Sequence, residues 1–547
     1  MSAKSEAKSV GLRSLPRRQI IMTMAGVMLA LFLSSLDQTI VTTAMPRIVA
    51  DLGGFEHYTW LTTAYMIAAT VVLPITGRLT DIYGRKPFYI GGIVIFIMGS
   101  AFAGLSQSMI QIIISRGIQG IGAGVMMANA FIVIGDLFPP AERGKYQGMI
   151  SGVFGISSVI GPPLGGFLTD ALSWHWVFYI NIPLGIATVV LFSIFFPHFR
   201  PDNGKSNVDF AGVTALVVTL IPLLLGLSWG GVEYPWNSIQ IISLFALSIA
   251  ALIVFLAIEK KSKAPIIPLW IFKNQIVSLS LITTFLSGIA MFGGIVFLPL
   301  FFQGVLGLTA TATGSYLTPM MLGMVFGSAV SGVALTRTGG HYKIQGAIGL
   351  AFIALGLILL TTMNIGTSPV RAVAYIVLVG LGLGVSMPIY TIAVQNTVSY
   401  EVLGVATSTV PFFRSLGGSF GLAILGSVMT NRFASEFANR LPEEIKKILP
   451  QELLSSVTHS AQTLLNQQIQ ARLHTFFDQT GQQGANLYEQ AFRLLRESLN
   501  TALAEVFFIC FIVTVLAFVS NLFIKEIPLH KQHRITEPQP GPDKPLD

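Results

Sequence analysis

The stretch Arg116-Gly117-Ile118-Gln119-Gly120-Ile121-Gly122-Ala123-Gly124-Val125-Met126-Met127 has a counterpart 260 residues further on, where Gly120, Gly122 and Gly124 fall on Gly380, Gly382 and Gly384, and Met127 falls on Met387. At the same offset Gly144, Gly161 and Gly166 fall on Gly404, Gly421 and Gly426. Six of the eleven glycines between 120 and 166 thus match without a gap, where roughly one or two would match by chance. At an offset of 255, Gly77 and Gly84 meet Gly332 and Gly339; at 253, Pro46 meets Pro299. Small loop insertions produce such drift, so the chain holds two copies of one unit.

Composition says what solvates that unit. Of 547 residues 52% are hydrophobic and 11% charged, with a mean hydropathy of +0.71, whereas a soluble chain carries about 25% charged residues. Lipid must therefore solvate most of it, which excludes secreted, cytosolic and disordered classes. The single cysteine, Cys510, lies in an apolar run, so neither a disulfide framework nor a thiolate metal site is available.

Apolar runs of about 20 residues, enough to cross a bilayer, begin near Ile20, Trp60, Phe88, Met109, Tyr146, Val177, Phe210, Ile239, Ile276, Thr313, Ile344, Val370, Val405 and Leu503. Fourteen spans result. Spans one to six and nine to fourteen are the two copies, and seven and eight are inserted between them. The predicted architecture is an all-α polytopic membrane protein of two pseudo-symmetric six-helix bundles plus two inserted helices. Its boundaries are an N-terminal tail (1–19), a first bundle (20–200), a linker carrying the inserted helices (201–262), a second bundle (263–527) and a polar, Pro-rich tail (528–547) that reads as disordered. Within the second bundle, 431–501 reads as an extracytoplasmic helical loop, from Leu453, Leu454, Val457, Tyr488, Phe492 and Leu495. It is either a solvated cap or a docking surface for a periplasmic partner.

An even number of spans puts both termini on one side. That side holds Arg13, Arg17, Arg18, Arg85, Lys86, Arg143, Lys145, Arg200, Lys205, Lys260, Lys261, Lys263, Lys273, Arg337, Lys343 and Lys525, while the short loops opposite hold only Arg47 and Arg371. The positive-inside rule predicts cytoplasmic termini in a cell membrane and accounts for the net charge of +8 without nucleic acid.

Parallel repeats of this kind place a substrate site near the midplane between the halves. The repeat also isolates charges that the fold alone does not need. Asp37 maps to Ala290, Arg116 to Ile376, Asp81 to Thr336 and Asp136 to Asn396. An ionisable group in hydrocarbon costs about 2.5–3.5 kcal/mol on lenient scales. Asp37 and Arg116 lie at similar depth and are expected to face one another. Asp37 is either a proton carrier or cation site, or one side of a structural ion pair; Arg116 cannot release its proton and acts only through a nearby carboxyl. Asp37, Gln119, Gln303 and Arg414 are candidate lining residues of a substrate cavity. Against that, Arg414 can snorkel or pair with a carbonyl, and Gln119, Gln303 and Asn181 can simply join helices.

Gly77-Arg78-Leu79-Thr80-Asp81-Ile82-Tyr83-Gly84-Arg85-Lys86 closes the second span. Its glycines permit a tight turn and close approach, Asp81 can face a helix N-terminus, and Arg85 can seek Asp136. In the fifth span Ser157, Gly161 and Gly165 lie on one four-residue ladder and Gly148 and Gly152 on another, with a bend at Pro162 and Pro163. Such a strip lets helices pack or slide at close range.

Together these stretches resemble the major facilitator superfamily, specifically its fourteen-span drug:proton antiporter branch of the EmrB/QacA type. Gly77 to Lys86 looks like the cytoplasmic signature, Arg116-x-x-Gln119-Gly120-x-Gly122-Ala123-Gly124 like the fourth-helix motif, and Leu36-Asp37-x-Thr39-Ile40-Val41 with Ala44-Met45-Pro46 like the first-helix motif. Gly148, Gly161-Pro162 and Gly165-Gly166 match the antiporter motif, with Ser157 where glycine is usual. Trp174-His175-Trp176-x-Phe178-x-x-Asn181-x-Pro183 resembles a further marker, with His175 where Arg is customary. The resemblance implies proton coupling through Arg116 with Asp37, gating by Gly77, Asp81, Gly84, Arg85, Lys86 and Asp136, and an export direction set by Gly148, Gly161, Pro162, Gly165 and Gly166.

The implied activity is uphill efflux of lipophilic, in part cationic, small molecules in exchange for protons. No cofactor is expected beyond the proton, and no phosphate-loop pattern points to a nucleotide. The second-half spans are nearly acid-free and rich in Phe and Met, which suits varied apolar ligands. Export of an endogenous lipid, siderophore or metabolite is the alternative. A membrane receptor would have no use for Asp37 and Arg116 at one depth, and a membrane enzyme would need a nucleophile, metal set or carboxylate pair that the sequence does not offer.

Overall fold

The computed structural model describes residues 15–52, 57, 59–197, 208–442, 475–477 and 484–529. It contains fourteen helices long and apolar enough to cross a membrane. They are α1 (Arg17–Leu52), α2 (Trp60–Tyr83), α3 (Arg85–Gly104), α4 (Met109–Leu137), α5 (Pro140–Ala171), α6 (Trp176–Phe195), α7 (Phe210–Trp229), α8 (Ile239–Lys261), α9 (Gln275–Val305), α10 (Ala310–Arg337), α11 (Tyr342–Leu360), α12 (Pro369–Thr397), α13 (Leu403–Arg440) and α14 (Gly484–Leu522). Side-chain caps mark several starts: Ser108, Asp209, Ser238, Asn274, Thr309 and Ser368 each accept a backbone N–H of the first turn. Each such cap contributes about 1 kcal/mol.

The repeated glycines are the points where these helices touch. A methyl group at Gly120 or Gly124 would meet the backbone of Tyr65 or Ala69 on α2, and one at Gly122 would meet Gly92 and Phe96 on α3. Their counterparts repeat the arrangement: Gly380 and Gly384 abut Met320 and Met324 on α10, and Gly382 abuts Gly349 and Ile353 on α11. The pairings follow suit. In the first bundle α4 packs on α2 and α3, and α1 on α5 and α6; in the second α12 packs on α10 and α11, and α9 on α13 and α14.

The inserted pair is not a free appendage. Leu216, Leu220 and Leu224 of α7 share a core with Val71 and Leu73 of α2 and Phe412 of α13, so α7 lies along the seam between the bundles. At its far end Trp229 packs edge-on against Trp60, with ring centroids 5.4 Å apart, and Trp236 Nε1 donates to Ser427 Oγ of α13 at 3.3 Å.

Two segments differ from the sequence reading. Within 431–501, read from sequence as an extracytoplasmic helical loop, the described flanks continue membrane helices: α13 runs on to Arg440, and Tyr488, Phe492 and Leu495 belong to α14. Both helices are longer than the roughly 20 residues a bilayer needs, and their added turns bury apolar side chains against each other, with Phe433, Phe437, Leu495 and Leu499 in one core; Leu453, Leu454 and Val457, with the rest of 443–474 and 478–483, lie outside the described residues. The C-terminal tail also begins later than Pro528. Asn396 Nδ2 donates to Pro528 O at 3.3 Å, and Leu529 N donates to Gly339 O at 3.4 Å, so residues up to 529 are held. Residues 1–14 and 530–547 of the two expected tails lie outside the described residues.

Candidate functional site

Among the described residues the fourteen helices put the start of α1 and the end of α14 on one face, called here the terminal face, with the distal face opposite. The first charged cluster lies toward the distal side of the first bundle. Asp37 of α1 is fully buried and takes three donors. Arg116 Nη1 reaches Oδ2 at 2.6 Å, while Gln119 Nε2 and Asn181 Nδ2 reach Oδ1 at 2.7 and 2.8 Å. Ser100 Oγ of α3 accepts from Gln119 Nε2 at 2.6 Å and from Asn181 Nδ2 at 3.2 Å.

Arg116 has anchors besides Asp37. Its Nε donates to Leu61 O at 3.1 Å, its Nη1 to Gln119 Oε1 at 2.6 Å, and its guanidinium sits 4.3 Å from the Tyr65 ring centroid. The cation is thus mounted on α2 and α4 whether or not α1 supplies a carboxylate. A buried charge that loses its partner is costly, and this mount gives Arg116 partners that do not depend on Asp37. All of Asp37's donors belong to the first bundle, and neither Asp37 nor Gln119 is exposed.

The second cluster lies at the terminal face, where the bundles meet. Gly84 has φ 92° and its repeat mate Gly339 φ 75°; L side chains rarely adopt that region, so both turns require glycine. Beyond the turn Arg85 reaches Asp81 Oδ1 at 2.6 Å and Asp136 Oδ2 at 2.9 Å. Asp81 Oδ2 accepts from Val405 N at 3.1 Å, one of the first-turn N–H groups of α13 that the helix itself leaves unpaired. Gly77 abuts Gly404 and Ser408 of α13, and Lys86 Nζ donates to Ser193 O at 2.9 Å within the first bundle. The repeat mates of the glycine pair make the matching contact, Gly144 against Gly332, without the charges.

A further cross-bundle tie uses residues the sequence did not single out. Arg143, read from sequence as a loop cation, is buried. It donates to Phe138 O at 2.9 Å, to Gly135 O at 2.7 Å and, across the seam, to Gln395 Oε1 of α12 at 3.2 Å. Gln395 Nε2 returns bonds to Phe131 O at 3.2 Å and Thr407 Oγ1 at 3.1 Å. Ser151 Oγ and Ser328 Oγ meet 3.0 Å apart, about 16 Å along α5 from its start at about 1.5 Å per residue. The contact between the bundles thus runs about three turns into α5.

Helix α5 changes partner along its glycines. Gly144, Gly148 and Gly155 touch α10, whereas Gly161 abuts Thr39, and Gly165 abuts Ile40 and Thr43, on α1. Thr39 Oγ1 donates to Ser157 O at 3.2 Å. Pro162 follows Gly161 inside the helix, while a methyl at Gly166 would meet nothing within 4 Å. Arg414 of α13 is buried and donates to Met387 O at 3.2 Å. Gln303 lies half-buried in the π-helical turn Phe301–Val305 that closes α9 and is not among Asp37's donors. Among the described residues no cluster of His, Cys, Asp and Glu could hold a metal ion.

Compared with known proteins, residues 27–422 match the model of the Major Facilitator Superfamily. The multidrug transporter protein MdtP of Bacillus subtilis is 40% identical over 515 residues, 94% of each chain. Multidrug resistance protein 3 of the same organism is 42% identical over 411 residues, 75% of this chain and 80% of the relative. Among solved structures, the human organic anion transporter MFSD10 matches with a TM-score of 0.59 over 91% of this chain and 100% of that one, at 14% identity. The proton:xylose symporter XylE matches with a TM-score of 0.57 over 93% and 96%, at 12% identity. At such identities the structures support the fold alone.

Proposed function

The chain belongs to the major facilitator superfamily, and on that premise we propose that it is a proton-coupled antiporter that exports lipophilic compounds, cations among them, by alternating access. It is a multi-pass membrane transporter rather than an enzyme. The observation that carries the coupling is Asp37, buried without exposure beside a guanidinium that has its own mount.

In this reading the terminal face is cytoplasmic, the chain stands closed on that side, and a proton arrives from the distal side. Charged Asp37 binds α1 to Arg116 and Gln119 on α4. Protonation weakens that tie, because hydrogen bonds to a charged group contribute about 1.5–3 kcal/mol against about 0.5–1.5 for neutral ones. Helix α1 is then free to shift against the glycine face of α5, where Gly161 faces Thr39 and Gly165 faces Ile40 and Thr43. Since α5 also carries the Gly144–Gly332 seal, that shift bears on the seam between the bundles.

The test is transport in liposomes under an imposed pH gradient, scanning cationic dyes, neutral drugs and lipids. Gradient-dependent flux of a dye or drug is expected. Flux of lipids alone would favour an endogenous lipid as cargo, and no gradient-dependent flux by a folded protein would overturn the reading.

A further inference from the structure

The donors around Asp37 are not equivalent. Arg116 can only donate. Gln119 has its Oε1 taken by Arg116 and its Nε2 shared between Asp37 and Ser100. Asn181 is fully buried, gives Nδ2 to Asp37 and Ser100, and holds an Oδ1 with no partner. An unpaired carbonyl oxygen at a fully buried residue is costly and calls for an explanation. The chemistry of Asp37 supplies one: a carboxylate only accepts, whereas a carboxylic acid has an O–H to give away; Arg116 has no acceptor for it, and Gln119 Oε1 is already engaged by Arg116, while Asn181 Oδ1 is free.

We propose that Asn181 is a positioning residue that serves both protonation states of Asp37, donating through Nδ2 to the carboxylate and accepting through Oδ1 from the acid. When Asp37 takes up a proton, one carboxylate oxygen becomes O–H. The Asn181 amide then turns over about its last side-chain bond and receives that O–H at Oδ1, while Arg116 keeps Leu61 O, Gln119 and the Tyr65 ring. Asn181 lies at the break in α6 between Trp176–Tyr179 and Asn181–Phe195, so α6 would report the protonation of α1. The charged or titratable groups facing Asp37 are Arg116 of α4 and the Tyr65 phenol of α2; α3 and α6 present the neutral Ser100 and Asn181. The inference rests on the coupling role proposed for Asp37.

The test compares wild type, Asp37→Asn, Asn181→Leu and Asn181→Gln in liposomes, following ethidium transport against pH, together with infrared difference spectra between the acid and neutral forms. Asn181→Leu removes a donor to the charged state and an acceptor for the neutral one. The first is the stronger bond, so the pH of half-maximal transport moves up by about one unit, a tenfold change in proton affinity. The acid C=O band that disappears in Asp37→Asn also shifts in Asn181→Leu, and Asn181→Gln restores part of both. In wild type bearing isotope-labelled asparagine, the side-chain amide C=O band moves as Asp37 protonates.

If Asp37→Asn still transports on the gradient, the coupling reading itself fails and takes this inference with it. If Asp37→Asn is uncoupled but Asn181→Leu keeps the wild-type profile and acid band, this inference alone fails. Should Asn181→Leu not fold, a labelled amide band indifferent to pH overturns it in the wild-type protein.

Discussion

Replacing Gln395 by leucine removes two bonds that cross between the bundles. One is the acceptor for Arg143 Nη1 at 3.2 Å, and the other is the donor to Phe131 O at 3.2 Å. A hydrogen bond to a charged group contributes about 1.5–3 kcal/mol and a neutral one about 0.5–1.5, so the terminally closed state loses about 2–4.5 kcal/mol relative to one in which these bonds are already broken. At about 1.4 kcal/mol per decade, the ratio of open to closed rises roughly 30- to 1,600-fold. Spin labels at Lys145 and Arg337, two exposed positions flanking the Gly144–Gly332 contact from opposite bundles, read this by double electron–electron resonance. Wild type should give one short distance, and Gln395→Leu a second, longer population of comparable or greater weight. Gln395→Glu, which would offer Arg143 a carboxylate, should keep the short distance and slow transport. An unchanged distribution in folded Gln395→Leu would refute the view that this tie helps hold the face closed.

Asp81→Ala removes both the cap on Val405 and one carboxylate of Arg85; breaking a buried pair costs about 3–5 kcal/mol, so a lower thermal midpoint and the same longer spin-label distance are expected. Gly161→Ala pushes a methyl into Thr39 of α1 while Gly166→Ala meets nothing within 4 Å. The first should cost about 1–3 kcal/mol of stability and impair transport, and the second should behave as wild type in both assays. Cys510 is fully buried, so a maleimide should leave the folded protein unlabelled and react only after denaturation, as mass spectrometry would show.

The spans and the duplication were legible in the sequence because both depend on local or regularly repeated features. Twenty apolar residues must cross, and Gly120, Gly122 and Gly124 recur as Gly380, Gly382 and Gly384 because a Cβ in either bundle would strike a neighbouring backbone. The meeting of Asp37 with Arg116 was legible from their shared depth and the cost of an isolated charge. Asn181 was not, since an amide in an apolar helix has the same appearance whether it joins helices or cradles an acid, and its partner lies 144 positions away. Arg143 was misread for a related reason: it follows Pro139 and Pro140 among polar residues, as a solvated loop cation would, yet the start of α5 folds it inward onto Gly135 O and Gln395. The placement of α7 along the α2–α13 seam leaves no trace in periodicity, because apolar faces toward lipid and toward protein share one composition.

Coupling through Asp37 is the central claim, and one measurement addresses it most directly: ethidium transport by Asp37→Asn in liposomes, with and without a pH gradient, beside wild type at equal reconstituted amount. Wild type should concentrate the dye only when the gradient is imposed, and Asp37→Asn should bind the dye yet fail to concentrate it under either condition. Gradient-driven accumulation by Asp37→Asn at the wild-type rate would contradict the account.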